Sequence, residues 1–385
     1  MSFHAKPTYY EFFAGGGMAR AGLGDGWQCL FANDFDPKKV EAYRANWGDG
    51  EIEHGDIHAL EIAKLPGWPD LAWGSFPCQD LSLAGNGAGL NGARSEAFWG
   101  YHRVVSGLRM ERRAPKILVL ENVVGALTSN GGKDFETLFR TLETLGYAYG
   151  ALTMDAAHFL PHSRPRLFMI AVRRDLEIPA ELVSDEPTSM WTSAALVRAH
   201  SKLPSYIRES WRWWSVPVPA GSNLSLAELI EDEPTDVFWH APHETERFLA
   251  MMSDQNRKKV ERARESGRKM VGAIYRRTRL HKGAKVQRAE IRFDDVAGCL
   301  RTPGGGSSRQ FIMVVEGASV RTRLLSSREA ARLMGLPDEY RLPKNYNEAY
   351  HLMGDGLAVP VVRHLAETLL LPIVQSTVPF AVAAE

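Results

Sequence analysis

Tyr9-Tyr10-Glu11-Phe12-Phe13-Ala14-Gly15-Gly16-Gly17-Met18-Ala19-Arg20-Ala21-Gly22-Leu23 is an apolar run, a glycine turn and an amphipathic stretch, in that order. An apolar run of strand length that breaks into glycine and resumes with helical spacing reads as strand, turn and helix. Its glycines let backbone N–H groups approach a ligand at the start of the helix, although a tight β–α connection needs the same residues. Further short apolar runs follow at 29–33, 71–74, 117–121 and 167–172. Amphipathic stretches lie between them at 37–46 and 134–145, the latter ending before Gly146 as a helix C-terminus does. The alternation predicts an α/β fold, Rossmann-like with a mostly parallel sheet, whose ligands bind at the carboxyl ends of the strands.

Chemistry-bearing residues fall at those strand ends. Asp34, in Ala-Asn-Asp-Phe-Asp, comes about 20 residues after the glycine turn, where a carboxylate commonly holds ribose hydroxyls. Asp56, in His-Gly-Asp-Ile, is placed to accept from an adenine amino group or to cap a helix. With Phe13, Ala14, Gly15, Gly17, Phe35 and Ile57 these two form a candidate nucleoside site. Gly74-Ser75-Phe76-Pro77-Cys78-Gln79-Asp80-Leu81-Ser82 puts a cysteine on a proline-stiffened turn just beyond an apolar strand, ahead of a glycine-rich loop that ends at Arg94. Most lone cysteines are buried and inert; this one is presented by its turn, and as a thiolate it suits attack on C6 of a cytosine ring. Glu121, in Leu-Val-Leu-Glu-Asn-Val, is the natural hydrogen-bond donor to the ring N3, where charge builds during that attack. Arg164 and Arg166 precede the apolar run 167–172, so that one can hold the cytosine O2 and the other a phosphate or Glu121.

Phe-Ala-Gly-Gly-Gly, Pro-Cys-Gln, Glu-Asn-Val and Arg-x-Arg therefore occur in this order on consecutive strand ends, and this closely resembles the cytosine-C5 DNA methyltransferase family. The resemblance spans residues 8–175 and resumes at about 325–371, in Arg-Glu-Ala-Ala-Arg-Leu-Met-Gly-Leu-Pro-Asp-Glu-Tyr and Gly-Asp-Gly-Leu-Ala-Val-Pro-Val-Val-Arg-His-Leu. It implies S-adenosyl-L-methionine as cofactor, with Phe13 and the turn through Gly17 packed on it, Asp34 on its ribose and Asp56 on its adenine. Pro77 and Asp355 would complete that site. It further implies Cys78 as covalent nucleophile, Glu121 as N3 donor, Arg166 on the flipped base and Arg164 as its structural and phosphate-contacting companion. Gln79 and Ser82 would line the loop after the nucleophile. The chain departs from the family pattern at His162, where glutamine is usual, and at Asp355-Gly356, where an Asn-Ala or Asn-Ser pair is usual.

The chain has 385 residues, 44% of them hydrophobic, enough for a large core and a smaller one. Lys and Arg total 46 against 46 Asp and Glu, so only the distribution of charge can indicate a polyanionic partner. Residues 257–292 carry fourteen Lys or Arg against three Glu, a local net charge of plus eleven, as phosphate binding requires. Arg276, Arg277 and Arg279 lie within this stretch. Arg301-Thr302-Pro303-Gly304-Gly305-Gly306-Ser307-Ser308-Arg309-Gln310 follows, and Arg301, Arg309 and Gln310 suit either base edges or phosphates. Trp211, Trp213 and Trp214 suit a core better than a base-stacking platform. Composition divides the chain into a catalytic domain at 1–175 and 325–385 and a smaller, irregular target-recognition domain at 176–324.

Three cysteines without a CxxC pair argue against a disulfide framework or structural zinc. No metal is expected, and no stretch has the run of about 18 apolar residues that a membrane span needs. The expected enzyme is a cytoplasmic monomer acting on double-stranded DNA in a restriction–modification, orphan or phage setting. A tRNA cytosine methyltransferase, a catalytically silent DNA-binding module and a nicotinamide oxidoreductase are the alternatives. The last leaves Pro-Cys-Gln, Glu-Asn-Val and Arg-x-Arg without a role.

Overall fold

The computed structural model describes residues 5–77, 96–221, 224–281, 284–302 and 309–376. Cys78, Gln79, Ser82 and Arg94 lie outside the described residues. The chain divides into two compact units: Met1–Asp155, Pro165–Pro219 and Val361–Glu385 form the first, and Ala156–Arg164 and Ala220–Pro360 the second.

The first unit holds strands β1 (Thr8–Phe12), β2 (Gln28–Asp34), β3 (Ile52–His54), β4 (Leu71–Gly74), β5 (Ile117–Val123), β6 (Tyr147–Asp155) and β7 (Pro165–Arg173). They form one sheet in the order β3-β2-β1-β4-β5-β7-β6. The β1–β2, β2–β3, β1–β4 and β4–β5 pairs are parallel, while β7 runs antiparallel to both β5 and β6. The predicted mostly parallel sheet is thus present. The order turns back at β1, with β2 on one side and β4 on the other, which is where open α/β sheets leave a crevice at their carboxyl ends.

The sheet forms because its strands are apolar on both faces: Tyr9, Tyr10, Phe12, Leu71, Ala72, Trp73, Leu118, Val119 and Leu120 are all buried. Each large side chain removed from water here stabilises the fold by about 1.5–3 kcal/mol. Helices Pro37–Trp47 and Lys133–Thr144 fall where the periodicity predicts them. The short pair β8 (Val183–Ser184) and β9 (Trp213–Trp214) also belongs to this unit. Leu196, Leu203, Ile207 and Trp211 bury against Phe139 and Tyr149, so residues 176–219 pack with the sheet, although composition separates them from it.

The second unit is built on an antiparallel sheet of β10 (Met270–His281), β11 (Ala284–Arg292), β12 (Phe311–Glu316) and β13 (Ser319–Leu324), in the order β11-β10-β12-β13. Its core joins Phe248, Met252 and Val260 to Ile274, Ile291, Phe311 and Met313. Helix Ser327–Leu333 begins with a capping box, Ser326 and Glu329 each bonding the other's backbone. Glu329 also forms a fully buried ion pair with Arg323 at 2.6 Å. That pair ties residues after 325 to β13, so the stretch up to Pro360 belongs to this unit and not to the first.

Tyr346–Ser376 is long and apolar enough, by length and composition alone, to cross a membrane, and 61% of its most apolar window is buried within the protein. No run of about 18 consecutive apolar residues marks this stretch in the sequence, because polar positions interrupt it. Helical structure also breaks at 356–358.

Candidate active site

The glycine turn is fixed by close packing. Gly17 has φ +77° and a Cβ there would lie 2.3 Å from Trp47 Nε1, so no other residue fits without displacing the tryptophan. Trp47 in turn donates from Nε1 to the carbonyl of Gly16 at 3.0 Å. Phe13 takes φ +58°, a left-handed conformation that costs a bulky residue on the order of 1–3 kcal/mol and is commonly kept at ligand sites.

Asp34 ends β2 almost wholly buried, and its two oxygens accept from the backbone N–H of Gly15 and of Asp36, each at 2.8 Å. Burial raises its pKa, while Lys39 and the two N–H donors oppose the rise. Each oxygen keeps a second lone pair for a hydroxyl donor. Phe35, next in the chain, is 72% exposed, an unusual state for a large ring beside a buried carboxylate. Asp56 caps the turn Ile57–Ala59 by accepting from His58 N at 2.9 Å, and Ile57 is buried. A strained backbone at Phe13, an open glycine turn, a carboxylate with spare acceptors and an exposed aromatic face suit the nucleoside and apolar parts of S-adenosyl-L-methionine.

Sequence reasoning passed over Glu11, which is 2% exposed in the middle of β1. Burial pushes its carboxyl up to about 8, and Arg20 pulls it down. The signal was a lone charge inside an apolar run.

The second cluster lies at the ends of β4, β5 and β7. Asn122 is buried and donates from Nδ2 to the carbonyl of Phe76 at 3.2 Å, tying the Phe76-Pro77 turn to the end of β5. Gly74 pairs with Leu120 across the adjacent strands, so the Phe76-Pro77 turn and the Glu-Asn-Val motif leave neighbouring strands at the same end. Arg166 stands opposite Val123, which places its side chain on the same face as Glu121 two residues earlier. Arg166 Nε lies 3.1 Å from Glu121 Oε1, with side-chain exposures of 14% and 9%.

Arg164 belongs to the second unit and is buried. Its guanidinium donates to the carbonyls of Leu300 at 3.0 Å, Gly354 at 2.8 Å and Gly356 at 2.6 Å. Those bonds hold the buried guanidinium on three main-chain carbonyls. Asp355 lies 3.5 Å from His351 on its own helix.

Within the second unit the basic stretch folds as helix Asp254–Glu265 and the β10–β11 hairpin. Arg277 and Arg279 are exposed and pair with Glu290 at 3.4 and 2.6 Å. On the other strand face Arg276 lies over the Phe311 ring at 4.8 Å, and burial and the neighbouring Arg309 hold its pKa below the ordinary value. Arg301 is exposed and Arg309 donates to Asn347. Gln310 departs from its expected place on a base-reading loop: it is 4% exposed and its amide donates to the carbonyl of Gly298. The adjoining apolar strand β12 carries it into the core. Trp211 and Trp214 are buried and Trp213 partly so, as a core role requires. Among the described residues no group of three or more His, Cys, Asp or Glu is placed to hold a metal ion.

The family model described as C-5 cytosine-specific DNA methylase matches residues 8–370. The chain is 25% identical over 371 residues to the Type II methyltransferase M1.ScrFI of Lactococcus lactis subsp. cremoris, covering 95% of this chain and 78% of that one. It is 24% identical over 361 residues to the Type II methyltransferase M.HhaI of Haemophilus parahaemolyticus, covering 93% and 92%. Among solved structures, the S. pombe Dnmt2 methyltransferase matches with a TM-score of 0.58 at 16% identity, over 98% of this chain and 100% of that one, a likeness of fold.

Proposed function

The chain belongs to the C-5 cytosine-specific DNA methylase family, and from that premise we propose that it methylates a cytosine flipped out of a specific duplex DNA sequence, through a covalent bond from Cys78 to C6. It is a DNA cytosine methyltransferase, and its methyl donor is S-adenosyl-L-methionine, as in the family. The observation that carries the finer reading is the tether from Asn122 to Phe76, beside the Glu121–Arg166 pair.

In this mechanism the Cys78 thiolate forms a bond to C6 while the carboxyl of Glu121 donates a hydrogen bond or proton at N3. Charge that would otherwise build on the ring is neutralised, and C5 becomes nucleophilic. Arg166 holds Glu121 in place and faces the base O2. S-adenosyl-L-methionine, when bound, supplies the methyl group to C5. Loss of the C5 proton to a base, followed by departure of the thiolate from C6, restores the aromatic ring and the enzyme. Phe13, Ala14, Gly15, Gly17, Asp34, Phe35, Asp56, Ile57, Pro77 and Asp355 are assigned to the cofactor. Flipping is required because C5 and C6 cannot be reached inside a stacked duplex.

The second unit, with Arg276, Arg277, Arg279, Arg301 and Arg309, is assigned to DNA recognition. Gln79, Ser82 and Arg94 are assigned to the loop after the nucleophile. Type II methyltransferases among the relatives favour a restriction–modification setting, and the proposal includes a bacterial cytoplasm and a monomeric enzyme. The test is transfer of labelled methyl to mixed-sequence duplex DNA, and covalent capture of 5-fluorocytosine DNA by wild type but not by Cys78→Ser. Capture by the serine variant, or transfer to tRNA in place of DNA, would overturn the reading.

A further inference from the structure

His162 is completely buried. The backbone N–H of Leu300 donates to its Nε2 at 3.2 Å, and its Nδ1 lies 2.9 Å from the carbonyl of Leu333. A main-chain N–H can only donate and a carbonyl can only accept. The ring is therefore neutral, with its proton on Nδ1. A glutamine amide likewise offers a donor and an acceptor on a planar group, so His162→Gln would keep both bonds while changing the shape.

The backbone on either side repeats the connection. Ala297 N donates to the carbonyl of Pro161 at 2.8 Å and Ser163 N to that of Ala297 at 2.9 Å. Arg164 holds the carbonyl of Leu300, whose N–H His162 accepts. Residues 161–164 and 297–300 are thus laced together inside the second unit. The first segment leads straight into Arg166, four residues beyond His162, and the second ends one residue before Arg301.

We propose that His162 is a positioning residue for methyl transfer, locking residues 161–164, which lead along the chain into Arg166, to residues 297–300, which lead into Arg301. Being fully buried it cannot touch base or phosphate, and it acts through those two arginines. The proposal rests on the reading of Arg166 as the arginine at the target base. Without His162, the N–H of Leu300 and the carbonyl of Leu333 are left without their partners and the lacing loosens on one side.

The experiment compares wild type, His162→Leu and His162→Gln in steady-state methylation of plasmid DNA, with cofactor affinity and melting temperature measured alongside. His162→Leu is expected to lower kcat by about 100-fold, the scale of loss when a reacting group is misplaced by about 1 Å, with the KM for S-adenosyl-L-methionine moving less than about twofold. His162→Gln is expected to recover kcat to within about fivefold of wild type, because donor and acceptor return. An unchanged kcat in His162→Leu would overturn the proposal, as would equal losses in both variants that merely follow their melting temperatures. Should His162→Leu fail to fold, His162→Asn takes its place: the same amide on a shorter stem should leave kcat well below that of His162→Gln, and equal activity would overturn the proposal. A wild-type protein that methylates nothing would sink the reading of Cys78 and Arg166, and this proposal with it. An active wild type with an indifferent His162→Leu sinks this proposal alone.

Discussion

Two arginine–glutamate pairs on β-strands invite comparison. Arg166 and Glu121 meet at 3.1 Å with side-chain exposures of 14% and 9%. Arg279 and Glu290 meet at 2.6 Å, yet their exposures are 53% and 30%. The shorter distance belongs to the weaker interaction, because water and salt screen an exposed pair to about 0–1 kcal/mol, whereas a dry pair is barely screened. Burial holds the first pair in one geometry, as the proposed orienting of a reacting ring requires. Exposure lets the second pair exchange partners at little cost, as the proposed binding of phosphate requires. On that proposal the first unit supplies chemistry that must not move, and the hairpin supplies charge that must be transferable.

The largest expected effect tests the fixed side of this comparison. Glu121→Gln keeps the shape but removes the acid, and kcat should fall by about 10³-fold, the scale of a lost general acid or oxyanion-type donor. Rapid-quench measurement of methyl transfer checks it; a loss under about threefold would place the acid elsewhere. Arg166→Lys keeps the charge but not the planar fork, and should lower kcat by about 10-fold with little dependence on salt. A strong salt dependence there would show that the pair is solvated and that the contrast with the hairpin fails.

The transferable side predicts a different signature. Arg277→Gln with Arg279→Gln should weaken DNA binding more at low salt than at high salt, and should reduce the slope of log K against log salt by about 0.9 for each phosphate that the protein no longer neutralises. Binding isotherms at several salt concentrations measure this, and kcat at saturating DNA should hold. An unchanged slope, with sequence preference relaxed instead, would make these arginines base readers.

The same contrast explains what the sequence made legible. A strand end is local: Asp34, Asn122 and Glu121 each close an apolar run whose burial is written in its neighbours, so their clustering follows once the strands are adjacent. Helices 37–47 and 133–144 were readable from spacing and caps for the same reason. The extent of the units was not. Trp211 reaches Phe139 and Tyr149 across long sequence separation, and Glu329 reaches Arg323 through a buried ion pair that residue types do not announce. Strand β6 escaped notice because Tyr147-Ala148-Tyr149-Gly150 lacks a clean apolar run, and Gln310 because its polar side chain is satisfied by a carbonyl inside the core. Arg164 was legible as a motif residue, but its grip on three carbonyls depends on residues far along the chain.

Glu11 offers the smallest effect and a third case, a buried carboxyl in the sheet unit without a short ion pair. Backbone N–H groups of Arg20 and Ala19 reach it, but its Oε2 has no hydrogen-bond partner. Burial first, against the pull of Arg20, pushes its pKa from 4.5 up to about 8. Between those values the unfolded chain releases the proton and the folded protein keeps it. The unfolded state therefore binds fewer protons, and this group makes stability fall as pH rises from about 4.5 to about 8, after which its contribution is level. The cumulative cost is on the order of a few kcal/mol at most. Glu11→Gln removes the titration, so its melting temperature should gain on wild type across that window by a few degrees, measured by calorimetry at the acid end and above pH 8. A constant offset between the two proteins at every pH would mean that Arg20 offsets burial and that Glu11 titrates alike in the folded and unfolded states.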